Sequence, residues 1–331
     1  MKPVFSVIIP AYNADDYIEE CIASVLEQHF SKLEVIIVDD GSVDKTLQIC
    51  RQYAQVDSRI KVIHKVNGGE TAARYDAIKV AEGDYVCCVD SDDWIEPSLL
   101  EDATAIIEKY KPDTIVYGFK EENRKGKCME SISCRKGFYS KKDLESKIYP
   151  WLIQSADVRY FHPSVGGAFF KKELFEKNMI NNRHAVFGGD QTVAIPCFAN
   201  ANSMYSMEDC YYNYRYNAAS VTKSGKVYDW ECPYVINKNI SSKIDINRYD
   251  FKQQLYRKIV HDFWTTACSQ FNDERPYNEV KQDILDHLRL KYIQVALKNA
   301  DFTSWKGRLI LNALRHKDVQ ATCLCNKVRK L

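Results

Sequence analysis

The chain has 331 residues, of which 45% are hydrophobic and 27% are charged, and its formal net charge is +1 at pH 7. This length is enough for one large core or two ordinary ones, and the near-neutral charge gives no indication of nucleic-acid binding. The longest apolar stretches have the length of strands, so we expect no transmembrane helix. No basic segment followed by an apolar one opens the sequence, so we expect no secretory signal.

Cysteine usage indicates a reducing compartment. There are twelve cysteines, and no two of them form a C-x-x-C pair. Several lie inside apolar or helical patterns, where a free thiol behaves as a small buried hydrophobic group. We therefore predict reduced structural cysteines and a cytoplasmic protein.

Strand and helix patterns alternate along the first third of the chain. The strand patterns are, in order, "FSVII", "LEVIIVDD", "IKVIH", "DYVCCVD" and "DTIVYGF". Amphipathic helix patterns separate them, beginning with "DDYIEECIASVLEQ" and ending with "EPSLLEDATAIIEKY". Near-continuous apolar strands that alternate with helices predict an α/β fold, with a mostly parallel sheet covered by helices on both faces.

Two regions follow this alternation. Residues 151–220 are rich in aromatic residues and glycine and are predicted to complete a ligand cleft. After residue 221 the periodicity becomes helical, as in "FKQQLYRKIVHDFWTTACSQF". We therefore predict a first domain over 1–220 and a helical C-terminal region over 221–331, suited to a membrane surface or an oligomer contact.

Crowded aspartates follow the fourth strand pattern. Asp90, Asp92 and Asp93 come directly after "YVCCV", and Asp39 and Asp40 end the second strand in the same way. Ligands of open parallel sheets bind at the carboxyl ends of the strands. A divalent cation with a polyphosphate would offset the repulsion between these carboxylates. The alternative is a solvated helix N-terminus, where aspartate is also favoured.

Turn sequences lie at the same predicted edge. In "VDDGSVD", Asp40 is suited to accept hydrogen bonds from a base or ribose, although a simple Asp-Gly turn explains the pattern as well. In "NGGETAAR", Asn67 and Gly68 precede a helix in a way suited to a phosphate or sugar, and Arg74 lies on that helix.

Two common nucleotide-binding patterns are absent from the sequence. The first strand ends in "IIPAYNADD", without the G-x-G-x-x-G of dinucleotide-binding proteins. A P-loop G-x-x-x-x-G-K-[ST] is also missing.

The segments "SVIIPAYNADDYIEECIASVLEQ", "LEVIIVDDGSVDKT" and "AEGDYVCCVDSDDW" together resemble the family 2 glycosyltransferases, which have a GT-A fold. The resemblance is close over residues 4–100 and looser over 150–220. It implies a nucleotide-sugar donor and a divalent metal, Mn²⁺ or Mg²⁺, bound at a D-x-D element. It also implies a bacterial cell-surface polysaccharide pathway such as capsule, exopolysaccharide or O-antigen assembly.

The resemblance also implies roles for individual residues. Asp90 would contact the ribose or diphosphate of the donor and Asp92 the metal, with Asp93 in support. Arg74 would lie near the base or ribose. The uridine-side pocket would be formed by Pro10, Ala11, Tyr12 and Asp40.

Most members of that family invert the anomeric carbon and use a carboxylate base from an acidic pair before an apolar helix. The matching stretch here is "VFGGDQTVAIP", which gives Asp190 the base position and has Gly189 where glutamate is usual. Asp190 would take the proton of the acceptor hydroxyl as its oxygen attacks. It is equally a candidate N-cap for the helix that follows.

The segment "YYNYRYNAASVTK" resembles the tyrosine-arginine stretch that follows the base in many bacterial members. Arg215 would neutralise the leaving diphosphate. The alternative is that Arg215 packs against tyrosines at the surface, and the sequence leaves both open.

The C-terminal segment "WKGRLILNALRHKDVQATCLCNKVRKL" combines basic and apolar residues. Its cations are Lys306, Arg308, Arg315, Lys317, Lys327, Arg329 and Lys330. A basic amphipathic element of this kind is typical of contact with an anionic membrane surface, on the inner face of the plasma membrane, which would bring the enzyme to a lipid-linked acceptor. The alternative is a solvated helix that closes the helical region.

The sequence therefore predicts an inverting, metal-dependent glycosyltransferase that uses a UDP-sugar and a glycan or lipid-linked glycan acceptor. Two alternatives stay open. A nucleotidyltransferase also combines an α/β sheet with carboxylates and metal, but it usually needs a glycine-rich basic loop after the first strand. A non-catalytic sugar-nucleotide binding module would keep Asp40 and Asp92 without depending on Asp190.

Overall fold

The computed structural model describes residues 2–122, 128–132, 134–161, 164–181, 188–216 and 226–329. The chain forms two compact units. The first, which we call the sheet unit, comprises Met1–Leu144, Pro163–Arg183 and Gly189–Asn217. The second, the helical unit, comprises Glu145–His162, His184–Gly188 and Ala218–Leu331. The predicted boundary between residues 220 and 221 lies outside the described residues and stays a prediction.

The sheet unit is built on one mixed sheet. Its strands are β1 (Phe5–Ala11), β2 (Leu33–Asp39), β3 (Ile60–His64), β4 (Tyr85–Cys88), β5 (Trp94–Ile95), β6 (Thr114–Glu122), β7 (Cys128–Ser131), β8 (Gly137–Ser140), β9 (Ala168–Lys171) and β10 (Ser203–Tyr214). They follow the order β3-β2-β1-β4-β9-β6-β10-β5, with β7 beside β6 and β8 beside β10. The helices of this unit are α1 (Ile18–Leu26), α2 (Thr46–Val56), α3 (Glu70–Val80), α4 (Leu99–Tyr110), α5 (Lys141–Asp143), α6 (Lys172–Asn178) and α7 (Gln191–Asn200).

The predicted α/β class with a GT-A arrangement of the sheet is confirmed. Strands β3, β2, β1 and β4 are parallel, with Ile8 opposite Ile36 and Val7 opposite Cys87. Every residue of β1 and β2 is buried, which requires cover on both faces. Residues such as Val7 share a core with α1 and α4, while α3 packs against β1 and β2.

One strand escapes the sequence pattern. β9 is only four residues long, and it inserts antiparallel between β4 and β6. Its sequence "AFFK" follows two glycines in a region that we expected to complete a ligand cleft. A strand so short has no readable alternation, because its conformation depends on its neighbours in the sheet.

The helical unit contains α8 (Glu231–Lys243), α9 (Phe251–Ser269), α10 (Tyr277–Leu288), α11 (Lys291–Asn299), α12 (Trp305–Arg315) and α13 (Val319–Arg329). Helix α9 supplies Phe263, Trp264 and Ala267 to a core shared with α10 to α13. The expected helical character of the C-terminal region is thereby confirmed. No helix in the described part of the chain is long and apolar enough to cross a membrane.

All twelve cysteines are free thiols. Burial, together with the nearby aspartates, raises the pKa of Cys21 well above its ordinary value, and burial raises that of Cys87 likewise. These thiols are therefore protonated and serve as small apolar groups of the core.

Candidate active site

The carboxyl ends of β1, β2 and β4 meet at one edge of the sheet, because the three strands are parallel neighbours. Pro10 and Ala11 end β1, and the next side chain, Tyr12, is 51% exposed. The amide of Asp40 donates to the carbonyl of Ala11 at 2.8 Å, which ties the first two strand ends together. The residues predicted from the sequence to bind the uridine side of the donor therefore lie at one shared edge of the sheet.

Asp40 organises the turn before α3. Its carboxylate is buried and accepts hydrogen bonds from the amides of Gly68, at 2.9 Å, and Gly69, at 2.6 Å. Lys65 Nζ lies 2.8 Å from the same carboxylate, and Asn67 is exposed at the tip of the turn. The carboxylate thus fixes the backbone of this turn, and the donor contacts expected of Asp40, Asn67 and Gly68 stay predictions.

Gly41 allows this turn to approach closely. Its φ is +78°, and a Cβ at this position would lie 2.9 Å from the amide nitrogen of Asn67. Any larger residue would be strained in the left-handed region and would also push the two turns apart. The "DDG" pattern therefore reflects close packing of two loops at the strand ends.

The three aspartates after β4 have different surroundings. Asp93 is 1% exposed, and its oxygens accept from the Tyr212 hydroxyl at 2.7 Å and from the Arg215 amide at 2.8 Å. The Tyr212 hydroxyl also accepts from the amide of Asp90 at 3.1 Å. Asp93 therefore anchors the loop internally, whereas Asp90 and Asp92 are both partly exposed.

Arg74 is the centre of the acidic cluster. It lies on α3, its side chain is 2% exposed, and its Nη2 atom contacts Asp90 Oδ1 at 2.8 Å. The same nitrogen pairs with Glu70 one turn earlier, and Nη1 contacts Asp190 Oδ1 at 2.5 Å. One buried guanidinium thus connects carboxylates from the loop after β4, from α3 and from the residue before α7. The expected contact of Arg74 with a base or ribose stays a prediction.

Asp190 precedes α7 but does not cap it through its side chain. Its carboxylate points instead to Arg74 and accepts from the Ser164 hydroxyl at 3.2 Å, and it is 27% exposed. Its backbone carbonyl accepts from the amide of Ala194 at 2.9 Å, so the backbone alone starts the helix. The side chain is thereby available for chemistry at the cluster.

Arg215 lies beside the D-x-D loop. Its Nε atom donates to the carbonyl of Asp92 at 2.8 Å, and its guanidinium lies 4.6 Å from the ring centre of Trp94. It pairs with Glu20 on α1 and also lies over the ring of Tyr17. The cation thus stacks on aromatic rings, as one alternative expected, and borders the acidic loop. The expected contact of Arg215 with a leaving diphosphate stays a prediction.

Negative charge exceeds positive charge in this cluster. Burial and the neighbouring Asp190 and Asp92 raise the pKa of Asp90 to about 6, although Arg74 opposes the rise. Burial and the charges of Asp90 and Asp92 raise the pKa of Asp93 to about 8. The folded protein therefore holds these carboxylates in a state that added positive charge would stabilise.

The carboxylate oxygens of this cluster suit a hard divalent cation. Within the described residues, however, no three His, Cys, Asp or Glu side chains lie together in the arrangement of a metal site. Asp90 and Asp92 offer carboxylate oxygens, which Mg²⁺ and Mn²⁺ prefer, usually together with substrate phosphates. Asp93 would first have to give up a hydrogen bond from Tyr212 or Arg215. The residues fit a cation that completes its shell with ligand oxygens, through Asp90 and Asp92.

Sequence reasoning missed four contributors: Glu20, Glu70, Ser164 and Tyr212. Glu70 had a readable signal, because it precedes Arg74 by four residues on one helix and would face the same side. Tyr212 belongs to a run of tyrosines in which only the strand register selects the residue that faces Asp93. The contacts of Glu20 and Ser164 join distant parts of the chain and had no signal.

Comparison with known proteins identifies the family. The model of glycosyl transferase family 2 matches residues 6–178, which include the D-x-D loop and Arg74 and stop before Asp190. The uncharacterized glycosyltransferase EpsJ of Bacillus subtilis (strain 168) is 27% identical, over 91% of this chain and 88% of that protein. The putative teichuronic acid biosynthesis glycosyltransferase TuaG of the same strain is 44% identical, over 33% of this chain and 44% of TuaG.

Among solved structures, residues 1–349 of Staphylococcus aureus TarS in complex with UDP-GlcNAc match 100% of this chain and 92% of that one. The TM-score is 0.70 and the sequence identity 25%. TarS is a poly(ribitol-phosphate) beta-N-acetylglucosaminyltransferase. With the family model matching more than half of its length, this chain belongs to glycosyl transferase family 2 and is a glycosyltransferase.

Proposed function

We propose that the protein transfers a sugar from a UDP-sugar to a hydroxyl of a glycan or lipid-linked glycan, with inversion at the anomeric carbon and with Mn²⁺ or Mg²⁺. The observation that carries the proposal is the Arg74 guanidinium, which connects Asp90 after β4 to Asp190 before α7. Asp90 on the proposed donor side and the partly exposed Asp190 thus both face the Arg74 guanidinium. This arrangement suits a displacement that needs a leaving-group site and a base.

Asp190 is the proposed base. The acceptor oxygen attacks the anomeric carbon and forms the new glycosidic bond, while its proton passes to the Asp190 carboxylate. The bond from the anomeric carbon to the phosphate oxygen breaks, and the nucleoside diphosphate leaves with the electron pair. The contact with Arg74, at 2.5 Å, holds the Asp190 carboxylate at this point.

The donor side is proposed to lie along the strand ends. Pro10, Ala11 and Tyr12 would border the nucleobase of the donor. The turn of Asn67 and Gly68, which the Asp40 carboxylate holds in place, would present the exposed Asn67 to the sugar or phosphate. When bound at Asp90 and Asp92, a divalent cation supplies positive charge to the donor diphosphate. Arg215, which borders this loop, adds a second cation on the same side.

The choice of UDP rests on a relative. Residues 1–349 of TarS have been solved in complexes with UDP and with UDP-GlcNAc, and they are 25% identical to this chain in a match that covers all of this chain. Other relatives act in cell-surface polymer synthesis by name, as TuaG does for teichuronic acid. These likenesses support a UDP-sugar donor and a surface-polysaccharide acceptor for this chain.

The place of the reaction is proposed to be the cytoplasm, at the inner face of the plasma membrane when the acceptor is lipid-linked. The twelve free thiols support a reducing compartment. The basic C-terminal segment supports contact with a membrane surface.

A thermal-shift experiment tests the donor and the metal together. We expect UDP with Mn²⁺ to raise the melting temperature. At a hundredfold excess over the dissociation constant, the ligand should add about 2.7 kcal/mol to the free energy of unfolding. The increase should be lost in Asp92→Asn and kept in Asp84→Asn. Asp84 is a matched control because it precedes β4, where its partner is the exposed Lys2. An equal increase with GDP, or one that does not depend on metal, would contradict the proposal.

The two alternatives to a transferase of sugars are not favoured. The family assignment opposes a nucleotidyltransferase and a non-catalytic binding module alike. The placement of Asp190 beside Arg74 adds a second argument against a binding module, which would not depend on Asp190.

A further inference from the structure

Helix α12 of the helical unit is apolar on two opposite faces. Its inner face buries Gly307, Leu311 and Leu314. On its outer face Trp305 is 66% exposed and Leu309 is 54% exposed. These two residues are four apart, so they lie side by side on the helix surface. The inner face accounts for the stability of the helix, and the outer pair is left without a role in the fold.

The orientation of α12 is fixed by its first turn. Ser304 caps the helix by accepting a hydrogen bond from the amide of Gly307 at 3.1 Å. Gly307 lies so close to Phe302 that a Cβ at this position would be 2.5 Å from the Phe302 ring. The helix is therefore held against the unit by its N-terminus, and Trp305 is presented outward by a rigid element.

Cations flank the apolar pair. Lys306 follows Trp305 and Arg308 precedes Leu309, and both are exposed. At about 100° per residue they lie on either side of the line from Trp305 to Leu309. Neither has an ion-pair partner among the described residues. The helix thus presents tryptophan and leucine between two unpaired positive charges.

A shallow cavity at the C-terminal end of α12 is lined by further cations. Its volume is about 190 Å³, and its polar lining comes from Gln294, Lys298, Arg315 and Lys317. Arg315 already donates to the carbonyl of Leu297, at 2.8 Å, so it closes the end of α11. Lys298 and Lys317 are exposed and, within the described residues, form no ion pair. The cavity is therefore suited to a small anionic group such as a phosphate.

The carboxylates of this segment have other partners. Asp301 pairs with Arg257 at 2.8 Å, and Asp318 accepts from the amide of Ala321 at 3.2 Å. The charge of Asp301 is therefore compensated within the fold, by Arg257.

We propose that the outer face of α12 binds the surface of an anionic phospholipid bilayer. Tryptophan and leucine would enter the boundary between headgroups and acyl chains, and Lys306 and Arg308 would meet lipid phosphates. A second copy of the chain is a poorer occupant, because a symmetric contact would bring the same positive charges together. Nucleic acid would meet the cations but would leave the apolar pair without a partner.

This surface names the residues of the membrane contact in the proposed function, on which it rests, and it belongs to the helical unit alone. Its test measures lipid binding, which requires neither donor nor turnover. The proposal can therefore fail while the assignment of Asp190 and Asp92 stands, and the reverse also holds.

The experiment is sedimentation of the full chain with vesicles. We expect binding to vesicles of phosphatidylcholine with phosphatidylglycerol, and little binding to phosphatidylcholine alone. Lys306→Gln with Arg308→Gln should weaken the partition coefficient about thirtyfold, since each cation near the surface contributes about a factor of five. Trp305→Ala should also weaken it, and should remove the change in tryptophan fluorescence that vesicles cause.

The matched control is Lys252→Gln with Lys281→Gln, which removes the same charge from exposed positions of α9 and α10. It should bind vesicles as the unchanged protein does, and melting curves should show all variants folded. Equal weakening by both pairs, or no binding to anionic vesicles, would overturn the proposal. Self-association that depends on Trp305 in the absence of lipid would overturn it in favour of a second copy.

Discussion

Two buried cations, Lys258 of the helical unit and Arg74 of the sheet unit, have opposite surroundings. In the helical unit, Lys258 and Asp262 lie one turn apart on α9, both largely buried, with Nζ and Oδ2 at 2.8 Å. Asn237 adds a hydrogen bond to the same carboxylate at 2.9 Å. In the sheet unit, the single guanidinium of Arg74 faces three carboxylates, and further aspartates follow within the same loop.

The difference distinguishes an ion pair that only stabilises the fold from a charge cluster that can bind a ligand. A buried cation with one matched carboxylate is closed and needs nothing from solution. A cluster in which the pKa of Asp90 rises to about 6 holds uncompensated negative charge, which a bound cation would offset. Charge imbalance, more than burial, therefore marks the candidate active site.

The largest expected effect tests the role of Asp190 as the proposed base. Asp190→Asn keeps the size of the side chain but removes the proton acceptor, so turnover with a UDP-sugar should fall by about 10² to 10⁴. Donor binding, measured as the shift in melting temperature with UDP and Mn²⁺, should remain. Ser164→Ala is the control, because it removes only the 3.2 Å hydrogen bond to Asp190 and should cost far less. Turnover unchanged in Asp190→Asn would exclude the residue as base.

The second prediction compares Arg74 and Lys258 directly. Arg74→Met should destabilise the protein by about 3 kcal/mol, because it leaves Glu70, Asp90 and Asp190 without their shared partner. Lys258→Met should have an effect of similar size by isolating Asp262. The measurement is the free energy of unfolding in urea.

Manganese separates these two variants. It should recover part of the lost stability in Arg74→Met, where freed carboxylates can bind it, and should recover none in Lys258→Met. Recovery of equal size in both variants would show that the acidic cluster of the sheet unit has no special affinity for cations.

How much of this could be predicted depends on the distance along the chain. The strand ends were predictable because apolar runs such as "YVCCV" set both the strand and the start of the acidic loop. The ion pair of Arg74 and Asp190 was not, since 116 positions separate the two residues and only the folded sheet unit brings α3 and α7 together. The placement of Asp93 was also hidden, because a D-x-D-D pattern does not reveal which carboxylate turns inward.

The third prediction uses two neighbouring tyrosines of β10. Tyr212→Phe removes the hydroxyl that holds Asp93 at 2.7 Å, and Tyr211→Phe removes one that holds Asp102 at 3.0 Å. Each should cost about 1 to 3 kcal/mol of stability, measured by urea unfolding. Only Tyr212→Phe should also weaken the metal-dependent effect of UDP on melting temperature. Equal loss of that effect in both variants would mean that Asp93 does not order the donor loop.

The smallest expected effect concerns Glu34, a carboxylate of the sheet unit whose charge is compensated by its partners, as that of Asp262 is in the helical unit. Burial alone would raise the pKa of Glu34, but hydrogen bonds from Ser6, Lys61 and the Glu82 amide outweigh it, so the pKa lies below the usual 4.5. A lowered pKa in the folded state means that Glu34 stabilises the protein fully above about pH 4.5 and loses this contribution as the pH falls through the folded value. The stability difference between the unchanged protein and Glu34→Gln should therefore be largest at neutral pH and shrink below pH 4.5. Urea unfolding at pH 7 and pH 4 measures it, and a difference that grows on acidification would show that burial, rather than hydrogen bonding, controls this carboxyl.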